Sequence, residues 1–392
     1  MLAHSPPFPL VIDYSSEGFS VEEEEEEGTI LALEQRDRVR RVRLQVPVPN
    51  MQKLIMAVDE EYPVLEHLTM VPSTEDKSTA LVLPETLQAP HLRHLSLRGF
   101  DLRKGSRLLT TSLGIVTLCL YMEHPSAYFQ PNTLLRSISS MPQLETLLFA
   151  FLFPIPNRGV ERQPIHTTIA TDVTLPNLRS FVFRGVSAYL EAVVRRITAP
   201  RLEKFDIQFY KQLTFSVPRL LQFMNTAENL RFGSAKFKFS TDEVYVKLYP
   251  RQETEMDAIS MVVRCWHLDW QVSSVAQIFN SLSQKLSTVD HLIIEHEVHS
   301  RSSEDHNEVD RVEWRNLLRS FSNVKTLRFD DGLVKEFSRC LQLDDGELPL
   351  ELFPQLRELT YSTSGDTGDI FTSFIDARQY AGRPLSVVCL PL

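Results

Sequence analysis

Most of the marks of catalysis, secretion and membrane insertion are missing from this 392-residue sequence. Its four cysteines, Cys119, Cys265, Cys340 and Cys389, lie far apart with no Cys-x-x-Cys spacing, which argues against both a disulfide framework and a zinc ribbon and fits a reducing compartment. No uncharged apolar run approaches the roughly 18 residues of a membrane span. The opening, Met1 to Ser16, has no basic segment and carries Pro6, Pro7 and Pro9 where the apolar core of a signal peptide should run. No Asn-x-Ser/Thr acceptor occurs either, so the expected location is cytoplasmic or nuclear. Gly-x-Gly-x-x-Gly, the Walker loop and Gly-x-Ser-x-Gly are absent, and with them the usual cradles for dinucleotides, for nucleotide phosphates and for a serine nucleophile. Positive charge is in deficit. With 51 acidic against 41 basic residues the formal charge is −10, which repels a phosphate backbone, so neither nucleic acid nor membrane is an expected partner.

The sequence does contain a recurring phrase. At 392 residues the chain exceeds the roughly 250 at which a single core stops growing, and the 43% of hydrophobic residues suffices for a long one. The phrase is Pro, any residue, Leu, Arg or Glu, any residue, Leu or Phe, any residue, and a final apolar residue. It occurs from Pro63 (Leu65, Leu68, Met70), Pro90 (Leu92, Leu95, Leu97), Pro142 (Leu144, Leu147, Phe149), Pro176 (Leu178, Phe181, Phe183), Pro200 (Leu202, Phe205, Ile207) and Pro354 (Leu356, Leu359, Tyr361). Copies without proline are Val39/Val42/Leu44, Ile115/Leu118/Leu120, Val289/Leu292/Ile294 and Val324/Leu327/Phe329; Phe232/Ala235/Phe237 and the run Ile259 to Trp266 are weaker. Each has the Leu-x-x-Leu-x-Leu form of a leucine-rich-repeat strand, with the period-two pair inward and the residues between them outward. Proline has no N–H and disfavours helix just before it, so it ends one segment where the next strand begins.

Between the phrases run stripes of helical period: Met51/Leu54/Ile55/Val58, Leu134/Leu135/Ile138/Met141, Leu190/Val193/Val194/Ile197, Leu220/Leu221/Met224, Val275/Ile278/Phe279/Leu282/Leu286, and Phe371/Phe374/Ile375/Arg378 followed by Gly382 as a stop. The expected fold class is therefore α/β, an irregular leucine-rich-repeat solenoid with a curved, mostly parallel sheet and helices on its other face. The phrases stand 27 residues apart from Pro63 to Pro90, 34 from Pro142 to Pro176 and 24 from Pro176 to Pro200, so loop insertions are expected. No asparagine or cysteine follows the Leu-x-Leu; Gly99 and Phe100 stand there after Leu97, and Gly185 and Val186 after Phe183, so a regular asparagine ladder is not expected. The domain reading is an N-terminal segment, 1–36, with an acidic solvated loop at 22–27, followed by the repeat array, 37–392.

Four clusters invite a chemical reading. His291, His296, His299 and His306 with Glu295, Glu297, Glu304 and Asp305 are the densest set of potential metal ligands. They lack the helix-borne His-Glu-x-x-His of zinc proteases, and 300–310 reads as a solvated loop. A metal-dependent enzyme using 291–306 is thus the remote alternative. Asp366-Thr367-Gly368 copies the aspartic-protease tripeptide once only, in a turn-like cluster, where that chemistry needs two carboxylates. Trp266 and Trp270 are read as core residues rather than base-stacking platforms. Arg36, Arg38, Arg40, Arg41 and Arg43 alternate with Val39, Val42 and Leu44 and read as the solvated face of a strand. No catalytic residue, metal or cofactor is expected.

The Pro-x-Leu-Arg-x-Leu phrases, the stretch Ile30 to Pro63 with Pro47-x-Pro49-Asn50-Met51-x-Lys53-Leu54, and Cys265-x-His267-Leu268-Asp269-Trp270 together resemble the repeat region of fungal F-box-like proteins over nearly the whole chain. The resemblance implies a non-catalytic substrate-recognition part of a cullin ubiquitin ligase, in which an N-terminal F-box docks on the Skp adaptor. No Leu-Pro-x-Glu opening precedes the first phrase. Leu83-Pro84-Glu85 and Leu348-Pro349-x-Glu351-Leu352 run into strands, so the F-box is expected to be missing and Skp a partner only if one lies upstream. The alternative is a free-standing repeat scaffold or a truncated F-box protein without ligase function. In either case an unknown protein ligand is expected on the outward strand positions: His94, Ser96 and Arg98; Ser180, Val182 and Arg184; Lys204, Asp206 and Gln208; Thr326, Arg328 and Asp330; Glu358, Thr360 and Ser362.

Overall fold

The computed structural model describes residues 8–16, 23–73, 80–102, 107–152, 172–210, 217–227, 229–251, 257–297, 311–342, 350–363 and 370–391. Each proline phrase opens with a reverse turn. The amide of the phrase's first leucine donates to the carbonyl three residues back, as in Leu92 to Ala89 (3.1 Å), Leu144 to Met141 (3.1 Å), Leu178 to Leu175 (3.3 Å), Leu202 to Ala199 (3.2 Å) and Leu356 to Phe353 (3.0 Å). Proline occupies the second turn position, where its fixed φ is already correct and no N–H is needed. A second bond pair then repeats. Two successive amides of the next strand share one carbonyl of the previous one: His94 and Arg93 on Glu66, Thr117 and Val116 on Arg93, Thr146 and Glu145 on Val116, Ser180 and Arg179 on Glu145, Thr326 and Lys325 on Asp290, Glu358 and Arg357 on Lys325.

The chain is α/β with mostly parallel sheet, and it divides into two compact units: Met1–Gly185 with Ala192–Leu202, and Val186–Glu191 with Glu203–Leu392. The first unit contains β1 (Leu10–Ser15), β2 (Val39–Gln45), β3 (His67–Met70), β4 (Leu81–Val82), β5 (His94–Arg98), β6 (Phe100–Asp101), β7 (Thr117–Met122), β8 (Thr146–Phe151), β9 (Val173–Thr174), β10 (Ser180–Gly185) and β11 (Ile197–Thr198). The order β1-β2-β3-β5-β7-β8-β10 is parallel throughout, and β4 with β6 and β9 with β11 form short separate pairs. The register aligns the phrases into apolar rows, Val42–Leu68–Leu95–Leu118–Leu147–Phe181 and Leu44–Met70–Leu97–Leu120–Phe149–Phe183, all buried. Each fully buried side chain of this kind stabilises by about 1.5–3 kcal/mol. Gly185, the last residue of β10, has no room for a side chain, since a Cβ there would lie 2.8 Å from the Phe183 ring and 3.0 Å from that of Phe151.

In the second unit β12 (Lys204–Phe209), β13 (Phe232–Phe239), β14 (Glu243–Pro250), β15 (Ile259–Arg264), β16 (His291–His296), β17 (Thr326–Phe329), β18 (Glu358–Thr363) and β19 (Ser386–Pro391) lie in the order β12-β15-β14-β13-β16-β17-β18-β19. An antiparallel hairpin, β13–β14, is built into this otherwise parallel run and also makes β14–β15 antiparallel. Each of the six helical stripes falls on a helix, Val48–Met56, Pro131–Ser139, Ser187–Val194, Pro218–Thr226, Leu268–Asn280 continued by Ser283–Leu286, and Thr372–Tyr380 with Gly382 at φ +72° behind it, but Val58, Met141 and Phe371 lie just outside the helix ends and Ile197 belongs to β11. Arg311–Arg319 and Val334–Leu341 are further helices. No described helix is long and apolar enough to cross a membrane.

Three expectations need correction. The acidic run is helix, not loop: Glu23–Leu33 is α-helical, because carboxylates crowded into a first turn face the positive end of the helix dipole. Within it Glu26 is buried, accepting from Lys53 Nζ at 2.7 Å and from Asn50, and the Lys53 hydrogen bond holds its carboxyl below the ordinary value despite burial. Residues 10–15, inside the expected N-terminal segment, are a sheet strand paired with β2. Trp266 and Trp270 are not core residues but 58% and 44% exposed, Trp270 standing edge-on to His267 at the start of Leu268–Asn280. The expected loop at 300–310, His299, His306 and Asp366-Thr367-Gly368 lie outside the described residues.

Candidate functional site

Strand alternation places a second set of rows opposite the buried ones. In the first unit these are Arg41–His67–His94–Thr117–Thr146–Ser180, Arg43–Thr69–Ser96–Cys119–Leu148–Val182, and Arg98–Tyr121–Ala150–Arg184. All of the singled-out residues in them, His94, Ser96, Arg98, Ser180, Val182 and Arg184, are partly exposed between buried neighbours. His67 and His94 stack with ring centroids 4.3 Å apart. Burial, then the His94 and Arg41 charges, push the His67 imidazole below its ordinary value. Arg98 Nε donates to Glu123 Oε1 at 2.6 Å. Burial raises the Tyr121 phenol, and the Arg98 and Arg184 charges on either side partly offset that. The basic stretch behaves as read only within the strand, where Arg40, Arg41 and Arg43 are exposed while Val39, Val42 and Leu44 are buried; Arg36 and Arg38 precede β2 and are half-buried, Arg36 pairing with Asp59 at 3.3 Å and Arg38 donating to the Phe8 carbonyl at 3.3 Å.

In the second unit the outward rows are Asp206–Ser260–Lys247–Lys236–Ile293–Arg328–Thr360 and Gln208–Val262–Tyr245–Lys238–Glu295. Lys204, Arg328 and Glu358 are exposed and Asp206, Gln208, Thr326, Asp330, Thr360 and Ser362 half-buried. Thr326 Oγ1 and His291 Nδ1 lie 2.6 Å apart, and Thr360 Oγ1 donates to Glu358 at 3.3 Å. The hairpin contributes what alternation in the proline phrases could not supply: Lys236, Lys238, Tyr245, Lys247 and Tyr249 line a groove of about 510 Å³. Lys236 pairs with Glu295 at 2.7 Å, Lys238 with Glu297 at 2.8 Å and Lys247 with Asp257 at 3.6 Å. The signal for it was present in the sequence, since Val244, Val246 and Leu248 alternate with Tyr245, Lys247 and Tyr249 after the turn-forming Ser240-Thr241-Asp242.

Three singled-out residues converge on one cavity. Arg328, Asp330 and Ser362 line a space of about 310 Å³ with Lys238, Glu295, His296 and Glu297, at the C-terminal ends of β16 and β17. The His296 amide donates to Asp330 Oδ2 at 2.6 Å. Burial lifts the Asp330 carboxyl to about 6 against that bond, with Glu295 and Asp331 adding to the rise. Burial also lowers the His296 imidazole, partly offset by a hydrogen bond to the Gly332 backbone. Asp330 Oδ1 and His296 Nδ1 are both out of solvent contact with no hydrogen-bond partner. Among the described residues no group of three or more His, Cys, Asp or Glu side chains is placed to hold a metal ion.

No protein-family model and no curated protein matches this chain.

Proposed function

We propose that the chain is a non-catalytic protein-interaction module, a leucine-rich-repeat-like solenoid whose outward sheet face docks another protein, of the kind that selects substrates in F-box ubiquitin-ligase subunits. The observation that carries this reading is the strand register. It turns short, separate phrases into continuous lateral rows of His, Ser, Thr, Arg, Lys and Tyr over a fully buried apolar layer. A surface mixed in sign and rich in partly exposed arginine and tyrosine suits a protein ligand better than a polyanion. The shallow rows offer spaced contacts along a chain. The solenoid reading makes this the concave face, to which each repeat contributes one strand's worth of contacts.

The test starts from a partner captured by proximity labelling on the full chain. Arg98→Ala, Arg184→Ala and Arg328→Ala combined should weaken its binding at least about tenfold, as truncation of arginine anchors does, with the melting temperature little changed. Unchanged affinity, together with loss from substitutions on the exposed sides of the helices, would move the site to the opposite face.

A further inference from the structure

The hairpin β13–β14 sets two cations face to face. Lys236 and Lys247 are register partners on its outward side, and Lys238, two residues further along β13, stands opposite Tyr245. Of the described register pairs this is the only one that places two lysine or arginine side chains directly opposite each other, an arrangement that is destabilising by itself. We propose that the groove over this pair receives an acidic side chain of the docked partner, an aspartate or glutamate carboxylate held between the Lys236 and Lys247 ammonium groups. This rests on the reading of the outward face as a docking surface and names the chemistry of one of its contacts.

The donors are accessible. The side chains of Lys236, Lys238 and Lys247 are 35%, 41% and 46% exposed, and all three line the groove of about 510 Å³ together with Tyr245 and Tyr249. They also have capacity left, since an ammonium carries three protons. Lys236 gives one to Glu295 and Lys238 one to Glu297, while Lys247 stands 3.6 Å from Asp257, beyond hydrogen-bonding reach. Ion pairs this open to water are weak and leave the ammonium groups able to take a further acceptor. A carboxylate has two oxygens and no donor, so a single group can accept from both lysines and offset their mutual repulsion. A cation of the partner would meet repulsion there, and an amide or hydroxyl would leave the two charges uncompensated.

The walls of the groove choose between sources of anion. Asp242 and Glu297 line it as well, and Glu295 and Asp257 stand beside Lys236 and Lys247. A nucleic-acid backbone, charged at every nucleotide, would bring further phosphates against these carboxylates, whereas a peptide can carry one acid with neutral residues around it. Tyr245 and Tyr249 lie two residues to either side of Lys247 on the same outward face of β14. Each offers an apolar ring with a polar tip, the side-chain character enriched in protein interfaces.

The experiment needs no partner. Full-length chain carrying isotope-labelled tyrosine rings is titrated with the peptide acetyl-Gly-Glu-Gly-Glu-Gly-amide, with its uncharged isostere in which glutamine replaces both glutamates, and with a thymidine trinucleotide of the same formal charge. The Tyr245 and Tyr249 ring signals, assigned by their loss in Tyr245→Phe and Tyr249→Phe, are followed. A saturable shift with the glutamate peptide is expected, weaker with the trinucleotide and absent with the glutamine peptide. The dissociation constant should rise at least about fivefold in the double variant Lys236→Gln/Lys247→Gln, as for two part-exposed ion pairs lost together, and fall in Asp242→Asn, which removes a carboxylate from the wall. Neither variant alters a buried residue, so the other tyrosine signals and the melting temperature should stay those of the parent. No saturable shift, an equal shift with the glutamine peptide, or unchanged affinity in the double variant would each overturn the proposal, and tighter binding of the trinucleotide would overturn it in favour of a nucleic-acid phosphate. The docking reading stands or falls separately, by the arginine substitutions on β5, β10 and β17 against a whole partner.

Discussion

The two units build the same kind of sheet by different means. In the first, the described part of the main sheet is parallel from β1 to β10 and its inward rows are apolar without interruption. In the second, a hairpin enters the order between β15 and β16, and the interior gains long polar side chains that end on backbone carbonyls. Gln271 Nε2 donates to Ser240 at the hairpin turn (2.7 Å) and to Cys265 after β15 (2.9 Å). Arg315 donates to Cys340 at 3.2 Å, and the fully buried Arg378 to Phe353 (3.0 Å) and Leu356 (2.7 Å) in the turn that opens the last phrase. Phe353 there has a positive φ of 51°, which a bulky residue adopts only under constraint. Buried side chains end on carbonyls in the first unit too, Ser112 Oγ on Ala89 (2.8 Å) and Tyr62 Oη on Leu33 (2.9 Å), but there the donors are hydroxyls and in the second unit they are amide and guanidinium groups. Where turns do stack, the same bond appears in both units: Asn177 Nδ2 reaches Pro142 at 3.1 Å and Asn323 Nδ2 reaches Ser287 at 2.6 Å, each joining one turn to the preceding one.

The largest expected effect tests the hairpin's core. Phe237 is fully buried among Phe239, Phe279 and Phe321, so Phe237→Ala should cost about 3–5 kcal/mol. Leu95→Ala, its counterpart in the parallel rows, should cost about 2–5 kcal/mol. In denaturant unfolding followed by hydrogen exchange, the first should deprotect β13, β14 and β16 and the second β3, β5 and β7. Equal loss of protection everywhere in both variants would remove the distinction drawn between the units. Next comes the carbonyl clamp. Gln271→Leu keeps the volume but leaves the Ser240 and Cys265 carbonyls without that donor, which should cost about 1–3 kcal/mol in the same assay.

A smaller effect is expected from Asp330, whose folded carboxyl titrates at about 6 against an ordinary value of 3.8. A raised folded value means that the protonated form stabilises the fold below 3.8 and that this contribution is lost as the pH rises through about 6. Asp330→Asn should therefore melt higher than the parent at pH 7.5, and the difference should shrink toward pH 4; a difference that does not vary with pH would contradict the burial argument. The smallest is Arg98→Ala. Its ion pair with Glu123 is 42% exposed on the arginine side, and its loss should cost about 0.2–1 kcal/mol, read as a near-unchanged melting temperature.

Much of the first unit was legible because its signals are local and repeated. From Pro90 to Leu97 a turn-forming proline, an inward pair and outward His94, Ser96 and Arg98 can be read without knowing any neighbour. The acidic helix was not legible, since a run of glutamates resembles a solvated loop until Lys53 and Asn50, 27 and 24 residues away, bury one of them. Trp266 and Trp270 were misplaced for the converse reason. Aromatic character favours burial on average, but nothing near them in sequence says whether another element will cover them.

Within the strand phrases the sequence alone determined which residues face inward, because strand alternation and proline turns are properties of a few neighbouring residues. It also determined the outward residues for the same reason. The tertiary structure alone decided which of them meet. Register between strands brought Arg98 beside Tyr121 and put Arg184 in the same row beyond Ala150, and it set a hairpin that the phrase does not announce between β15 and β16. It also closed a cavity around Asp330 and His296, 34 residues apart, whose burial and unmet acceptors depend on charges and backbone contributed by separate strands.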